Sequence, residues 1–154
     1  MDRRDVGSWL QGPKATLEQQ GVDFGYPGER LGLPQSGSGS VATMGRRLVA
    51  LLIDWAAAGI LANAYASKWT PSSLALLQLE IFLTQVLLFT ALIGASFGQQ
   101  LLGMQVRNLA GGRATIGQIL LRTFLIALVI PAAIWDRDGR GLHDRLANTV
   151  VVRR

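Results

Sequence analysis

The sequence predicts an all-α integral membrane protein with two transmembrane helices, a third apolar helical segment that is re-entrant or spanning, and a small cytoplasmic two-stranded β element. Three observations lead to this fold class. The chain of 154 residues is 49% hydrophobic and only 16% charged, whereas soluble domains carry about 25% charged residues. The apolar residues are concentrated in three segments, 47–66, 74–97 and 116–135. A short strand-like stretch follows the second segment and another follows the third.

Composition also argues against several functional classes. The chain contains no cysteine, which excludes disulfides, thiolate metal sites and cysteine nucleophiles. The net charge is +5, but the arginines flank apolar segments and form no basic stripe, so we expect no nucleic-acid partner. The sequence has no phosphate-binding loop, metal-ligand cluster or nucleophile–base pair. We therefore expect neither enzyme activity nor a cofactor.

The N-terminal residues 1–43 are rich in Gly, Pro, Ser and Gln, and the stretch "YPGERLGLPQSGSGS" is typical of a linker. This composition predicts a flexible cytoplasmic tail, followed by a membrane domain over residues 44–152. The alternative is a segment that lies on the membrane face or docks on a partner through Trp9, Phe24 and Tyr26.

The first two apolar segments have the length of membrane spans. Leu48 to Ala66 has 19 residues, close to the roughly 20 that cross a bilayer, and Leu74 to Phe97 is long enough to cross with some tilt. Arg46 and Arg47 precede the first segment. By the positive-inside rule, the N-terminus and the loop after the second segment are cytoplasmic in a multi-pass protein of the cell (plasma) membrane.

The third segment, Ile116 to Trp135, allows two topologies. Leu102, Met104 and Val106 alternate like a strand, and Thr149 to Val152 is a β-branched run. Each stretch is too short to be stable alone, so pairing on one side of the membrane is favoured. Pro131 could break the third segment into a re-entrant hairpin that returns to the cytoplasm. A plain third crossing would place the Arg-rich tail outside.

Asp54 is the most unusual residue of the first segment, since a carboxylate in hydrocarbon is costly. Arg47 shares its helical face, and so do alanines at four-residue spacing (Ala50, Ala58, Ala62, Ala66). Small residues at this spacing admit a neighbouring helix, so we expect Asp54 to face protein. Arg122 lies at matching depth in the third segment and is its predicted partner, with Arg47 as competitor. This intramembrane charge site is either a buried clamp, a site coupled to proton or ion movement, or a water-accessible carboxylate.

Two other acidic positions stand out. Glu80 lies near the outer end of the second segment, where it either reaches water or forms a second acidic station on an ion path. In the tail, "GLHDRLAN" holds His143 beside Asp144, which is too few ligands for a metal site. The aspartate could instead fasten the short helix before the final strand.

These motifs together resemble the RDD family of small bacterial membrane proteins, in particular its actinobacterial members. The resemblance rests on Arg47-x-x-Ala50-x-x-x-Asp54, on "FGQQLLGMQVRNLAGGRATIGQILLRTFL" and on "GLHDRLANTVVV", and the Arg and two Asp of the family name match Arg47, Asp54 and Asp144. It implies a membrane protein of largely undefined role, with transport suggested and sodium–proton antiport linked to some members. The usual "GKRLLG" is "GQQLLG" here and "LAGT" is "LANT", so no role for that basic charge is carried over.

Two functional hypotheses follow. The first is an accessory membrane subunit that binds partners and performs no chemistry. The alternative is a cation–proton antiporter or other transport protein acting as an oligomer, because a bundle this small encloses little aqueous path. The expected partners are the lipid bilayer and either another protein or further copies of the chain.

Overall fold

A computed structural model describes residues 25–68, 73–128 and 140–154. After a 3-10 turn at Glu29–Leu31, the described residues form α1 (Met44–Ala66), α2 (Leu74–Ile93), α3 (Phe97–Leu101), β1 (Met104–Asn108), α4 (Ile116–Ala127), α5 (Leu142–Leu146) and β2 (Thr149–Arg153). The proposed anchors Trp9 and Phe24, the turn residues 69–72, and residues 129–135 with Pro131 lie outside the described residues.

The first two apolar segments form helices α1 and α2, as the sequence predicts. Both are long and apolar enough to cross a membrane, and only 22% of the most apolar stretch of each is buried. A core helix of a soluble protein would be mostly buried. The two helices pack together through Ala58, Phe82 and Val86, and the Trp55 and Phe82 rings meet edge to face with centroids 5.4 Å apart. Many of the large apolar side chains of both helices are exposed, among them Ile60 and Leu92.

The second apolar segment ends earlier than its composition predicts. It was expected to run to Phe97, but α2 ends at Ile93 because Gly94 takes the left-handed conformation with φ of 83°, which glycine adopts at little cost. Ser96 then begins α3 with a reciprocal capping box, in which Ser96 and Gln99 bond each other's backbone N–H. The chain thus turns from α2 into a short helix that packs against α1.

The two strand-like stretches pair as predicted. Strands β1 and β2 are antiparallel, with Val106 opposite Val151. On its other edge, β2 bonds the chain before α1, since Ala42 N–H donates to the Val151 carbonyl (2.9 Å) and Arg153 N–H donates to that of Ser40 (2.9 Å). Strand β2 is therefore central, and its first four residues are buried.

The N-terminal region covers one face of this sheet. Val150 and Val152 pack with Val41 against Leu31 and Leu33. On the opposite face, Val151 joins a cluster with Met104, Val106, Ala42 and Ala50 of α1. The last described part of the predicted tail thus contacts the sheet: residues 39–42 are bonded to β2, and Leu31 and Leu33 pack on it.

Helix α4 begins beside the sheet, where the Gln118 side chain donates to the Asn148 carbonyl (3.3 Å). It has 12 residues in the described part of the chain, fewer than a bilayer requires. Because β2 pairs with β1, the residues before and after the third apolar segment meet at the same end of the molecule.

A buried charge cluster beside an apolar cavity

Arg47 joins three parts of the chain. Its Nε donates to the Ala42 carbonyl (3.1 Å), its Nη2 to the Val151 carbonyl (3.1 Å) and its Nη1 to Asp144 Oδ2 (3.1 Å). The residue is only 8% exposed. The planar guanidinium fork suits this task because its donors point in fixed, diverging directions.

Asp144 is the centre of the cluster. Its carboxylate is fully buried and lies between two arginines. Arg47 Nη1 is 3.1 Å from Oδ2, and Arg122 Nε is 2.8 Å from Oδ1. The Thr149 hydroxyl also donates to Oδ1 (3.3 Å), and His143 Nε2 lies 3.5 Å from the same oxygen. Burial alone would raise the pKa of Asp144, but Arg122, His143, Arg47 and the Thr149 hydroxyl outweigh it and hold the pKa below its ordinary value.

Asp54 is held by neutral donors. The Ser96 hydroxyl donates to its Oδ2 (2.5 Å) and the Gly98 backbone N–H to its Oδ1 (2.7 Å). The residue is 3% exposed and lies on the stripe that buries Arg47, Ala50, Ala58 and Ala62. The prediction that Asp54 faces protein on an alanine stripe is confirmed, and Ala66, at the end of the stripe, is half-buried.

The predicted Asp54–Arg122 ion pair is wrong. Within the described residues, Arg122 makes its direct ion pair with Asp144, and both Asp54 oxygens bond α3 and the residue before it. The Arg122 charge still attracts the Asp54 carboxylate, but without a direct contact. Asp54 and Arg122 do line the same cavity, as their matching depth predicts, but Asp144 of α5 forms the ion pair with Arg122. Arg47, the predicted competitor for Asp54, also pairs with Asp144.

Gly98 explains how α3 comes close enough to reach Asp54. A Cβ at this position would lie only 2.1 Å from the Ala50 carbonyl oxygen, so no other residue fits without separating α3 from α1. Ala50, on α1, is also small, and this allows α3 to approach α1 closely.

The cluster lines a cavity of about 560 Å³ between α1, α2, α3, α4 and α5. Its polar lining consists of Arg47, Asp54, Ser96, Gln99, Arg122, His143 and Asp144, and the remaining walls are apolar. Buried ionisable side chains and apolar side chains thus line the same cavity.

The other predicted acidic site is separate. Glu80 is exposed and lines a shallow groove on α2 with Leu77, Ile81, Thr84 and Leu88, apart from the cavity that holds Asp54. His143 does lie in the cluster, and the suggestion that Asp144 fastens the helix before the last strand agrees with its bond to Thr149. The described residues contain no group of three or more His, Cys, Asp or Glu placed to hold a metal.

Three site residues escaped the sequence reasoning: Ser96, Gly98 and Gln99. The pattern Ser96-x-x-Gln99 is a capping-box signature and marks the start of a helix. Nothing local indicates that Asp54, more than 40 positions earlier, would bond to it.

Fold and site together define a membrane-protein type of domain, with two apolar helices long enough to span. A buried Arg–Asp–Arg cluster joins the region of the small sheet to α1 and α4. The chain belongs to the RDD family, whose sequence model matches residues 41–148. No curated protein and no solved structure matches the chain. Arg47, Asp54, Arg122 and Asp144 all lie within the matched range and line the same cavity.

Proposed function

We propose that this protein is a small multi-pass protein of the cell membrane that acts as an accessory, partner-binding subunit and performs no chemistry. Helices α1 and α2 cross the bilayer, the N-terminus and the sheet lie on the cytoplasmic side, and the third apolar segment re-enters from that side. Retention in the membrane pellet after alkaline carbonate extraction tests the insertion.

The observation that supports an accessory role is the way the buried carboxylates are engaged. Asp54 accepts from Ser96 and Gly98, and Asp144 lies between two arginines. A carboxylate that carries ions must exchange partners with water, whereas these serve packing. The surface left for interaction is apolar: Ile60 is 71% exposed and Leu92 is 66% exposed, which suits lipid or another membrane helix.

The partner is sought by placing a photo-crosslinking amino acid at Ile60 or Leu92 in the living cell, with buried Ala58 as the matched control. We expect one defined protein adduct from an outward position and none from Ala58. Adducts to lipid alone from both outward positions would contradict partner binding.

The alternative function is cation–proton exchange by an oligomer. It is favoured by one observation: Asp54 and Asp144 both line the same cavity. Everted vesicles that contain the protein distinguish the two functions. Sodium- or potassium-driven proton flux that is lost in Asp54→Asn supports exchange, and equal fluxes from vesicles with and without the protein exclude it.

A further inference from the structure

The cavity beside the charge cluster has the size and walls of a ligand site. Its volume of about 560 Å³ falls within the range of roughly 300–1,000 Å³ for small-molecule pockets. Leu51, Leu52 and Trp55 of α1 line it, as do Phe82 and Val86 of α2. Leu52 and Trp55 are also exposed at the outer surface (60% and 44%). The cavity therefore opens on an apolar face of the helices.

Arg122 supplies polar chemistry at the inner end. The residue is only 4% exposed and lines the cavity. Its Nε lies 2.8 Å from Asp144 Oδ1, yet the geometry of that contact is not that of a hydrogen bond. Within the described residues, this buried Nε has no hydrogen-bond partner. A guanidinium carries five N–H donors in a planar fork that matches the two oxygens of a carboxyl group.

The neighbouring carboxylates are already engaged. Asp54 accepts from Ser96 and Gly98, and Asp144 accepts from Arg47 and Thr149. The unit charges of the two arginines and two aspartates cancel. A ligand head group that binds here therefore gains binding free energy from hydrogen bonds to its acceptor atoms, and not from a net positive charge of the site. A carboxyl group supplies such acceptors in both its protonated and its ionised form.

We propose that the cavity binds a single-chain amphiphile, a long-chain fatty acid, with its carboxyl group at Arg122 and its acyl chain along the apolar wall of α1, α2 and α4. The site goes beyond an accessory role but rests on the proposed membrane insertion, since the acyl chain enters from the bilayer. An apolar tail recovers about 0.8 kcal/mol for each CH₂ that it buries.

The test uses palmitate with a photoactivatable diazirine in its chain, added to the purified full-length protein in detergent. Protein that resists carbonate extraction is used, so that failed insertion and failed ligand binding are distinguished. After irradiation, the modified residues are mapped by mass spectrometry. We expect adducts to concentrate on cavity residues such as Leu52, Phe82 and Ile126, and to be suppressed by excess palmitate but not by hexadecane.

Two substitutions on the same helix provide the matched control. Ala127 lines the cavity, so Ala127→Phe should fill it and reduce labelling at least tenfold without touching the charges. Leu121 is exposed on α4 and lies outside the cavity, so Leu121→Phe should label like the wild type.

Three results would overturn the proposal. The first is adducts spread equally over outward residues such as Ile60 and Leu92, which indicates bulk amphiphile only. The second is equal suppression by hexadecane, which removes the carboxyl group from recognition. The third is unchanged labelling in Ala127→Phe.

Discussion

Among single residues, Asp144 has the largest structural role because two buried arginines depend on it. Arg47 and Arg122 come from α1 and α4, and Asp144 lies between them with no exposed surface. Removing one member of a buried charge set costs about 3–5 kcal/mol, since the remaining charges lose their compensation. The carboxylate thus connects α5 to α1 and α4.

A double-mutant cycle identifies the true partner of Arg122. We expect Arg122→Gln and Asp144→Asn to be non-additive, with a coupling of about 0.5–3 kcal/mol, because they remove the same ion pair. Asp54→Asn combined with Arg122→Gln should show a smaller coupling, since Asp54 bonds Ser96 and Gly98 directly and Arg122 acts on it only through longer-range attraction. The free energy of unfolding is measured in detergent for all single and double variants. A larger coupling for the Asp54 pair would contradict the assignment.

Acidic pH should lower the stability of the folded protein, because Asp144 becomes protonated. Its pKa in the folded protein is below the ordinary value of 3.8, so the folded state binds this proton less readily than the unfolded chain does. The resulting stabilisation is complete well above pH 3.8 and is lost as the pH falls below it towards the folded-state pKa. The apparent melting temperature should therefore drop in this range, and Asp144→Asn should flatten the drop. Identical profiles for the two proteins would contradict this role.

At the scale of helices and strands, local patterns predicted most of what the structure contains. The alanine repeat predicted that Asp54 lies on a buried stripe. Alternation predicted β1, and a β-branched run predicted β2. Gly94 shortened the second helix because one left-handed residue redirected the chain. The contact between Asp144 and Arg47 spans 97 positions, and neither helical period nor matching depth encodes such a contact. For the same reason, matching depth did not identify Asp144 as the ion-pair partner of Arg122.

Comparing two capping boxes measures how much the Ser96–Asp54 hydrogen bond contributes to the free energy of unfolding. Ser96 and Thr115 both begin helices with reciprocal Gln partners, but only Ser96 also donates to Asp54. Thr115→Ala should cost about 1 kcal/mol as an ordinary cap. Ser96→Ala should cost about 1–3 kcal/mol more, because it leaves a buried carboxylate oxygen without a donor. Equal losses of unfolding free energy would show that the Asp54 bond contributes nothing.

The close approach of α3 to α1 can be tested with glycine substitutions. Gly98→Ala places a Cβ 2.1 Å from the Ala50 carbonyl oxygen, and such overpacking costs about 1–3 kcal/mol. Gly117→Ala on α4 meets nothing within 4 Å and should be neutral or stabilising by up to about 1 kcal/mol. Thermal unfolding in detergent compares the two variants, and equal melting temperatures would contradict the tight contact.

For the whole molecule, the sheet constrains the topology more than hydropathy does. The hydropathy pattern predicts three apolar segments but does not determine on which side of the membrane the C-terminus lies. Strand β2 pairs with β1 on one edge and with residues 39–42 on the other, so three distant parts of the chain meet in one layer. If α1 and α2 cross the bilayer, this layer lies on one side of it, and the third segment must return to the side from which it started.

This topology predicts a specific labelling pattern. The chain has no cysteine, so single cysteines can be introduced on a clean background at Ser67, Ala110 and Arg154. We expect Ala110→Cys and Arg154→Cys to react with a membrane-impermeant maleimide on the same side, and Ser67→Cys to react on the opposite side. Intact cells and everted vesicles expose opposite faces and serve as mutual controls. Labelling of Arg154→Cys from the side of Ser67→Cys would require a third crossing, and the paired sheet could not then exist in the membrane-inserted protein.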